Sequence, residues 1–270
     1  MRGGAHVSFV GAGPGDPELI TLKALRRLRE AEVVVHDRLV APVLLDEAPA
    51  DAERIDVGKA RGRVCLGQEA INWLLVDRAT RGGGGRGARV VRLKGGDPGV
   101  FGRLAEEIAA VRAAGVGFDV VPGVTAAMAS AALAGISLTE RGSASVVVLA
   151  TGADHHGRVP ASLDWDLLAR IEGTLVFYMP VAALGAISAA LTALGRDPRE
   201  PALVLEAVGT ARERVVPTHL GDLGTAPGLA SIESPAILMT GPTVRDASLP
   251  RSVARAAAVM TGVGMATTPG

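Results

Sequence analysis

Short runs of aliphatic and β-branched residues alternate along the chain with stretches whose apolar positions repeat at helical spacing. Residues 6–10, 33–36, 89–93 and 118–121 read as strands. Between them, Leu22, Leu25 and Leu28 mark one face of a helix over 19–31, and further helices are predicted at 68–80, 103–114 and 125–133. The pattern restarts after Ala144, with strands at 146–150, 174–178, 202–205, 214–217 and 236–239 and helices at 165–171 and 181–194. Such alternation predicts α/β layers with mixed, mainly parallel sheets. The restart predicts two α/β domains, 1–140 and 141–246, with the boundary in 138–143. Beyond Val244 the periodicity fades into Ala, Thr, Gly and Arg, so 247–270 is predicted to be a disordered tail. The tract 81–87, with four successive glycines, reads as a flexible surface loop.

Composition narrows the class. With 270 residues, 48% of them hydrophobic, the chain can bury a substantial core. Its 28 basic and 28 acidic residues balance, so no global field draws it to nucleic acid or an anionic membrane. Only 3% of residues are aromatic, which argues further against base stacking. Cys65 is the single cysteine, excluding an internal disulfide framework and fitting a reducing, cytoplasmic setting. No apolar stretch approaches the roughly 20 residues a membrane span needs, and Met1 to Val10 carries no signal-peptide pattern. His155-His156 has only Asp154 beside it, too few donors for a metal site, and Trp73 and Trp165 read as packing residues.

Candidate chemistry concentrates in two glycine turns. The segment Val91-Arg-Leu-Lys-Gly-Gly-Asp-Pro-Gly-Val-Phe-Gly-Arg103 combines a strand end, a turn where backbone can approach a ligand closely, an acid, and Arg103 opening a helix with Glu106 and Glu107. The second turn, Val10-Gly-Ala-Gly-Pro-Gly-Asp-Pro17, is neither a dinucleotide fingerprint nor a P-loop. Two such turns at strand ends imply one cleft.

With these turns stand Val35-His-Asp-Arg-Leu-Val40, Gly58-Lys59, Gln68-Glu-Ala-Ile-Asn72, Val121-Pro-Gly-Val-Thr-Ala126, Leu138-Thr139, Arg141, Thr151-Gly152 and Tyr178-Met179. In this order, from about Val7 to Val244, the segments resemble the tetrapyrrole methylase family of class III S-adenosylmethionine methyltransferases, specifically its uroporphyrinogen-III C-methyltransferases. The resemblance implies two α/β domains with the active site in the cleft between them, and a homodimer. It implies S-adenosylmethionine folded against Pro14, Gly95, Gly96, Asp97, Val100, Thr125, Ala126, Met179, Val208 and Ala236, with S-adenosylhomocysteine as product and no metal. It implies uroporphyrinogen III as substrate, methylated at C2 and C7 to precorrin-2 through precorrin-1, for sirohaem or cobalamin synthesis.

A macrocycle with eight carboxylates calls for local cations, for which Arg38, Lys59, Arg103 and Arg141 are the candidates; arginine pairs carboxylate through two hydrogen bonds and stays charged. Arg103, Glu106 and Arg141 are the implied catalytic residues, Glu106 assisting proton loss. Alternatives stand beside these roles. Arg103 and Glu106, three apart, can be a simple ion pair; Asp97 can close an Asx turn; Met179 can be core; Arg38 and Lys59 can make surface salt bridges. Leu104-Ala105, Glu140, Pro180, Pro242-Thr243 and Glu213 depart from the family pattern, mostly on the acceptor side. Glu140 either points away, pairs with Arg141, or marks altered specificity. Rival readings are a paralogue acting on another tetrapyrrole or secondary-metabolite acceptor, and a non-catalytic S-adenosylmethionine-binding protein.

Overall fold

The computed structural model describes residues 4–58, 66–154 and 157–247, and they divide into two compact units, one ending at Ala126 and the other beginning at Ala127. Lys59, Cys65, His155-His156 and the tail beyond Ala247 lie outside the described residues.

The first unit is built on five strands, β1 His6–Gly11, β2 Val33–His36, β3 Glu53–Asp56, β4 Arg89–Lys94 and β5 Gly117–Val121, in the order β3-β2-β4-β1-β5 with every pairing parallel. A parallel sheet needs cover on both faces, and the alternation along each strand supplies two cores. Val10, Val34, Val91 and Leu93 pack with Ala24 and Leu28 of α1 (Leu22–Arg29) and Leu44 of α2 (Pro42–Leu45). Val7, Phe9, Val35 and Val90 pack with Leu75 of α3 (Gln68–Gly85) and Val111 of α4 (Leu104–Ala113). Helix α1 starts at Thr21, whose hydroxyl accepts from the Ala24 N–H, a standard N-cap.

β3 is missing from the sequence reading because Glu53-Arg-Ile-Asp56 has no apolar face; it is an edge strand paired only to β2. The glycine tract also differs from expectation: α3 continues through Gly85 instead of giving way to a loop. The chain returns across this helix, with the Ala88 N–H on the Ala79 carbonyl, and a Cβ at Gly82 would stand 2.4 Å from the Ala88 Cβ. Close approach, not loop flexibility, accounts for that glycine. Trp73 is 61% exposed rather than packed.

Away from the glycine turns, Asp119 on β5 gathers the Ser8 hydroxyl at 2.6 Å, His6 Nε2 at 3.0 Å and Arg27 Nε and Nη2 at 3.2 and 3.1 Å. Partial burial pushes its pKa up, but the hydrogen bonds from Ser8, His6 and Arg27 outweigh that and hold it down to about 2. Because the folded value is depressed, the stability this carboxylate contributes is complete above the ordinary aspartate range and is lost as pH falls toward 2. Thermal midpoints recorded from pH 5 to pH 2 should therefore fall less steeply for Asp119→Asn than for the parent; parallel curves would contradict the assignment.

The second unit begins with α5 (Ala126–Leu133, its first residue closing the first unit) and holds a sheet of β6 Val146–Thr151, β7 Gly173–Tyr178, β8 Pro201–Glu206, β9 Arg214–His219 and β10 Ala236–Thr240, ordered β6-β7-β10-β8-β9. Only β6–β7 is parallel; the other three pairings are antiparallel, so the parallel character sits in the first unit and the mixed character here. α6 (Trp165–Arg170) and α7 (Leu184–Ala193) pack over Leu175, Phe177 and Val204, and the Trp165 ring stacks on Phe177 with centroids 6.0 Å apart. α5 and the segment after it are tied into this unit: the Ala127 N–H donates to the Tyr178 hydroxyl and the Thr174 hydroxyl to the Leu138 carbonyl. The two compact units meet between Ala126 and Ala127, ahead of the 138–143 stretch.

Candidate active site

In the first unit, β1 lies between β4 and β5, so the chain crosses over it on the way from β4 to β5; in open α/β sheets such a switch point, at the carboxyl ends of the strands, is where ligands bind. Gly11, Gly96 and Gly123 meet there. Gly13 and Gly96 exchange two backbone hydrogen bonds, 3.2 and 2.7 Å, joining the two glycine turns directly. A Cβ on Gly11 would lie 2.6 Å from the Gly123 Cα and 2.7 Å from the Gly96 oxygen, and one on Gly123 only 2.3 Å from that oxygen. The floor is thus bare backbone from the end of β1 and the loops after β4 and β5, with Pro14 three residues beyond Gly11.

Gly96 differs from the other two. Its φ of +69 is left-handed, and the heavy atoms nearest its would-be Cβ, the Ala126 nitrogen and the Thr125 Cα, stand 3.9 Å away. Room remains beside it, bounded by residues that the family resemblance assigns to S-adenosylmethionine. A ligand needing close backbone approach fits this cradle. Asp97 takes the Asx-turn arrangement: one carboxylate oxygen accepts from the Gly99 N–H at 2.7 Å and the other from the Gly123 N–H at 3.0 Å. Those bonds fix the loop that carries Val100, whose own N–H closes onto the Asp97 carbonyl.

Arg103 does not occupy the first turn of α4 as expected but the position just before it, in a left-handed conformation with φ 56. Its side chain still reaches forward to Glu106, Nε to Oε1 at 2.8 Å and Nη2 to Oε2 at 2.6 Å, with both groups about half exposed. The hydrogen bond from Arg103 pulls the Glu106 pKa down, and Glu106 raises that of Arg103. A doubly bonded, ionised carboxylate is a poor base while the guanidinium holds it.

Beneath this surface pair lies a network the sequence reading missed. Arg92 and Lys94, on the α3/α4 face of β4, are 2% and 3% exposed, and Glu107 is fully buried. Glu107 accepts from Lys94 Nζ on both oxygens at 2.9 Å, and on Oε1 also from Arg92 Nε and Gln68 Nε2, each at 3.2 Å. Arg92 Nη2 reaches Asp37 at 2.6 Å. Burial and the neighbouring Arg92 push the Lys94 pKa down, against the pull of Glu107. The signal was available: two cations inside a strand buried on both faces require buried anions.

Arg38 is exposed in the turn after β2, its backbone pressed on Gly58, where a Cβ would come 2.5 Å from the Arg38 Cβ; Lys59 follows outside the described residues.

Of the expected residues in the second unit, Met179 is half exposed with φ 54, directly after the fully covered strand β7, and so is not a core methionine. Val208 and Ala236 are 7% and 5% exposed, leaving mainly backbone to offer a ligand. Arg141 is exposed in the turn closed by the Glu140–Ala144 bridge. Glu140 does not pair with Arg141; its carboxylate accepts from the Ser143 hydroxyl of the same turn. Two other departures pack against neighbours distant in sequence. Pro180 sits over Gly152, where a Cβ would lie 2.9 Å from its Cα, and in the first unit Leu104 packs against the α3/α4 core. A cavity of about 500 Å³ in the second unit, beside Gly173 and Arg196, contains none of the expected residues. The Arg196 guanidinium there is spent on Glu200 and on the Leu168, Ile171 and Gly173 carbonyls. Among the described residues no cluster of three His, Cys, Asp or Glu could hold a metal, and no helix is long and apolar enough to cross a membrane.

Comparison with known proteins agrees with this geometry. The family model for tetrapyrrole (corrin/porphyrin) methylases matches residues 6–224. A siroheme synthase of Chromobacterium violaceum is 46% identical over 246 residues, and one of Gluconacetobacter diazotrophicus 44% over 244, each match covering 90% of this chain. The chain spans about half the length of these curated relatives, the aligned part being 50% of each. Among solved structures, a uroporphyrin-III C-methyltransferase from Thermus thermophilus, also solved with S-adenosyl homocysteine, is 43% identical with a TM-score of 0.74, over 89% of this chain and 99% of that one. A cobalt-precorrin-4 methyltransferase is 28% identical with a TM-score of 0.76, over 88% of this chain and 95% of that one. The chain belongs to the tetrapyrrole (corrin/porphyrin) methylases.

Proposed function

We propose that this chain is an S-adenosylmethionine-dependent C-methyltransferase that methylates uroporphyrinogen III at C2 and C7, giving precorrin-2 through precorrin-1. The observation that carries the reading is the side-chain-free floor of Gly11, Gly96 and Gly123 with Arg103 and Glu106 at the end of the same loop. It draws further support from the 43% identity to a uroporphyrin-III C-methyltransferase over nearly all of that protein. The proposal concerns the half of the siroheme synthases that the chain matches, and the product suits sirohaem or cobalamin synthesis.

When bound, S-adenosylmethionine supplies an electrophilic methyl group. The chain's residues align and manage charge. Gly96, Thr125 and Ala126 offer backbone where a side chain would obstruct, and Asp97 keeps their loop in place while adding negative charge nearby. Met179, Val208 and Ala236 are the second unit's candidates for the same ligand. Holding attacking carbon, methyl and sulfur in line can contribute roughly 7–11 kcal/mol.

Arg38, Lys59, Arg103 and Arg141 are the proposed partners of the acceptor's carboxylates. Arg103 has a second task. An acceptor carboxylate that takes over its hydrogen bonds releases Glu106, whose pKa then rises toward the ordinary glutamate range, making it a better proton acceptor when the ring must lose a proton. Acceptor binding and base strength are thereby coupled through one guanidinium.

Incubating the purified protein anaerobically with labelled S-adenosylmethionine and uroporphyrinogen III tests the reading. A mass gain of two methyl groups is expected. S-adenosylhomocysteine binding with no methyl gain would remove the assignment of acceptor and favour another tetrapyrrole or a binding-only protein.

A further inference from the structure

Helix α4 carries Glu106 in its first turn, directly after Arg103, yet that start has no side-chain cap: Arg103 occupies the capping position and only its backbone carbonyl accepts, from the Glu106 and Glu107 N–H groups. Two residues of the approach, Phe101 and Arg103, have left-handed φ of 51 and 56, a conformation that persists only where the surroundings enforce it. A buried ion pair lies against this approach. Lys94, the last residue of β4, sends its side chain under Gly102, whose would-be Cβ stands 3.2 Å from the Lys94 Cε, and then bonds both oxygens of Glu107 in the first turn of α4. The pair spans the loop from inside, joining the strand the loop leaves to the helix it enters.

The front of the same loop is secured independently. Gly96 is tied to Gly13 by two backbone bonds, and Asp97 to Gly99 and Gly123. None of these involves Lys94 or Glu107 side chains. The two halves of the loop thus have separate anchors, one for the glycine floor and one for the Arg103–Glu106 pair.

We propose that the buried Lys94–Glu107 pair is a positioning element, fixing Arg103 and Glu106 relative to the glycine floor without itself touching either ligand. The inference rests on the methyl-transfer reading for its kinetic consequence and on the geometry alone for its structural one. Arg92 and Gln68 complete the hydrogen bonds of the Glu107 carboxylate, and Arg92 also pairs with Asp37, so the network is balanced at two cations and two anions.

The test is the double substitution Lys94→Met with Glu107→Gln. It removes one cation and one anion together, keeps side-chain size, leaves Arg92 paired with Asp37, and lets the new amide still accept from Arg92 and Gln68. Two readouts are compared with the parent. Amide hydrogen exchange should accelerate about tenfold or more at Glu106 and Glu107 and stay unchanged at Gly96 and Gly123. Turnover should fall roughly 10- to 100-fold, the scale of a small misalignment, with S-adenosylhomocysteine affinity within about twofold. Unchanged exchange at Glu106 and Glu107 would overturn the proposal, as would exchange rising equally at all four amides, or turnover and affinity falling together. Should the double variant not fold, Lys94→Met alone, which leaves Glu107 paired to Arg92 and Gln68, is judged by the same criteria. A parent protein without turnover on uroporphyrinogen III sinks the functional reading only; the exchange comparison still decides the positioning role.

Discussion

Glu106→Gln is expected to lower turnover roughly 100-fold, the lower end of what a positioned proton acceptor contributes, while S-adenosylhomocysteine affinity stays within about twofold. Glutamine keeps the size of the side chain and one acceptor for Arg103 but cannot take up a proton. The competing account is that Arg103–Glu106 is only an exposed ion pair, which contributes little to stability or anything else. That account predicts turnover within about threefold of the parent. The pH profile separates the two further. Because Arg103 holds the Glu106 pKa down in the free protein, the acid limb of kcat/KM, which reports the free enzyme, should fall below the ordinary glutamate range. The limb of kcat, which reports the acceptor-bound enzyme, should shift upward if Arg103 has been taken over by an acceptor carboxylate. Arg103→Lys should erase that difference, since an ammonium cannot grip Glu106 through two parallel bonds.

The second large effect separates two glycines that look alike in the sequence. Gly123→Ala puts a Cβ 2.3 Å from the Gly96 oxygen and 2.8 Å from the Gly11 Cα, all backbone with nowhere to move. A loss of about 3 kcal/mol or more is expected, lowering the melting temperature by roughly 6–12 °C in a protein of this size. Gly96→Ala should behave in the opposite way. Its Cβ has no heavy atom closer than 3.9 Å, so the folded protein incurs only the left-handed φ, about 1–2 kcal/mol. Yet the methyl group stands in the space beside Thr125 and Ala126. S-adenosylhomocysteine affinity should therefore fall roughly 100-fold, about 2.7 kcal/mol, in a protein that remains folded. Calorimetric titration of a folded Gly96→Ala variant with unchanged affinity would show that the ligand does not use this face.

Most elements were legible because their burial is regular. Val33-Val-Val35, with both faces of a parallel sheet to cover, reads as a central strand, and the Leu22, Leu25, Leu28 spacing reads as a helix, although the face it buries is Ala24 and Leu28 while Leu22 is 81% exposed. The composition of the two glycine turns suggested that they lie together, and the Gly13–Gly96 bonds join them. Polar segments were harder. Glu53-Arg-Ile-Asp56 is a strand by virtue of its neighbour β2, which no local pattern reports. The glycines at the end of α3 are helical because Ala88 packs against Gly82, a contact set by the return of the chain.

The candidate site divides along the same line. Residues were identified by motif, but their division of labour depends on backbone geometry the sequence does not encode. Phe101, Arg103, Met179 and Ala207 all adopt positive φ without being glycine. Arg103 therefore sits before α4 and not within it. Of the two tasks open to Asp97 in the sequence, its bonds to Gly99 and Gly123 show the structural one. Glu140, one of the departures from the family pattern, turns to Ser143 instead of Arg141. The Lys94–Glu107 pair was visible in principle, as charges in a strand without solvent, but the motif around it drew attention to the exposed neighbour Glu106.

The central claim is that the chain delivers two methyl groups to defined carbons of one macrocycle. Carbon-13 NMR of the product formed anaerobically from uroporphyrinogen III and S-adenosylmethionine labelled in its methyl group reads that directly. The account predicts two labelled methyl signals, on C2 and C7, with a singly labelled intermediate at early times. A single label at completion, or labels on other ring positions, would contradict it.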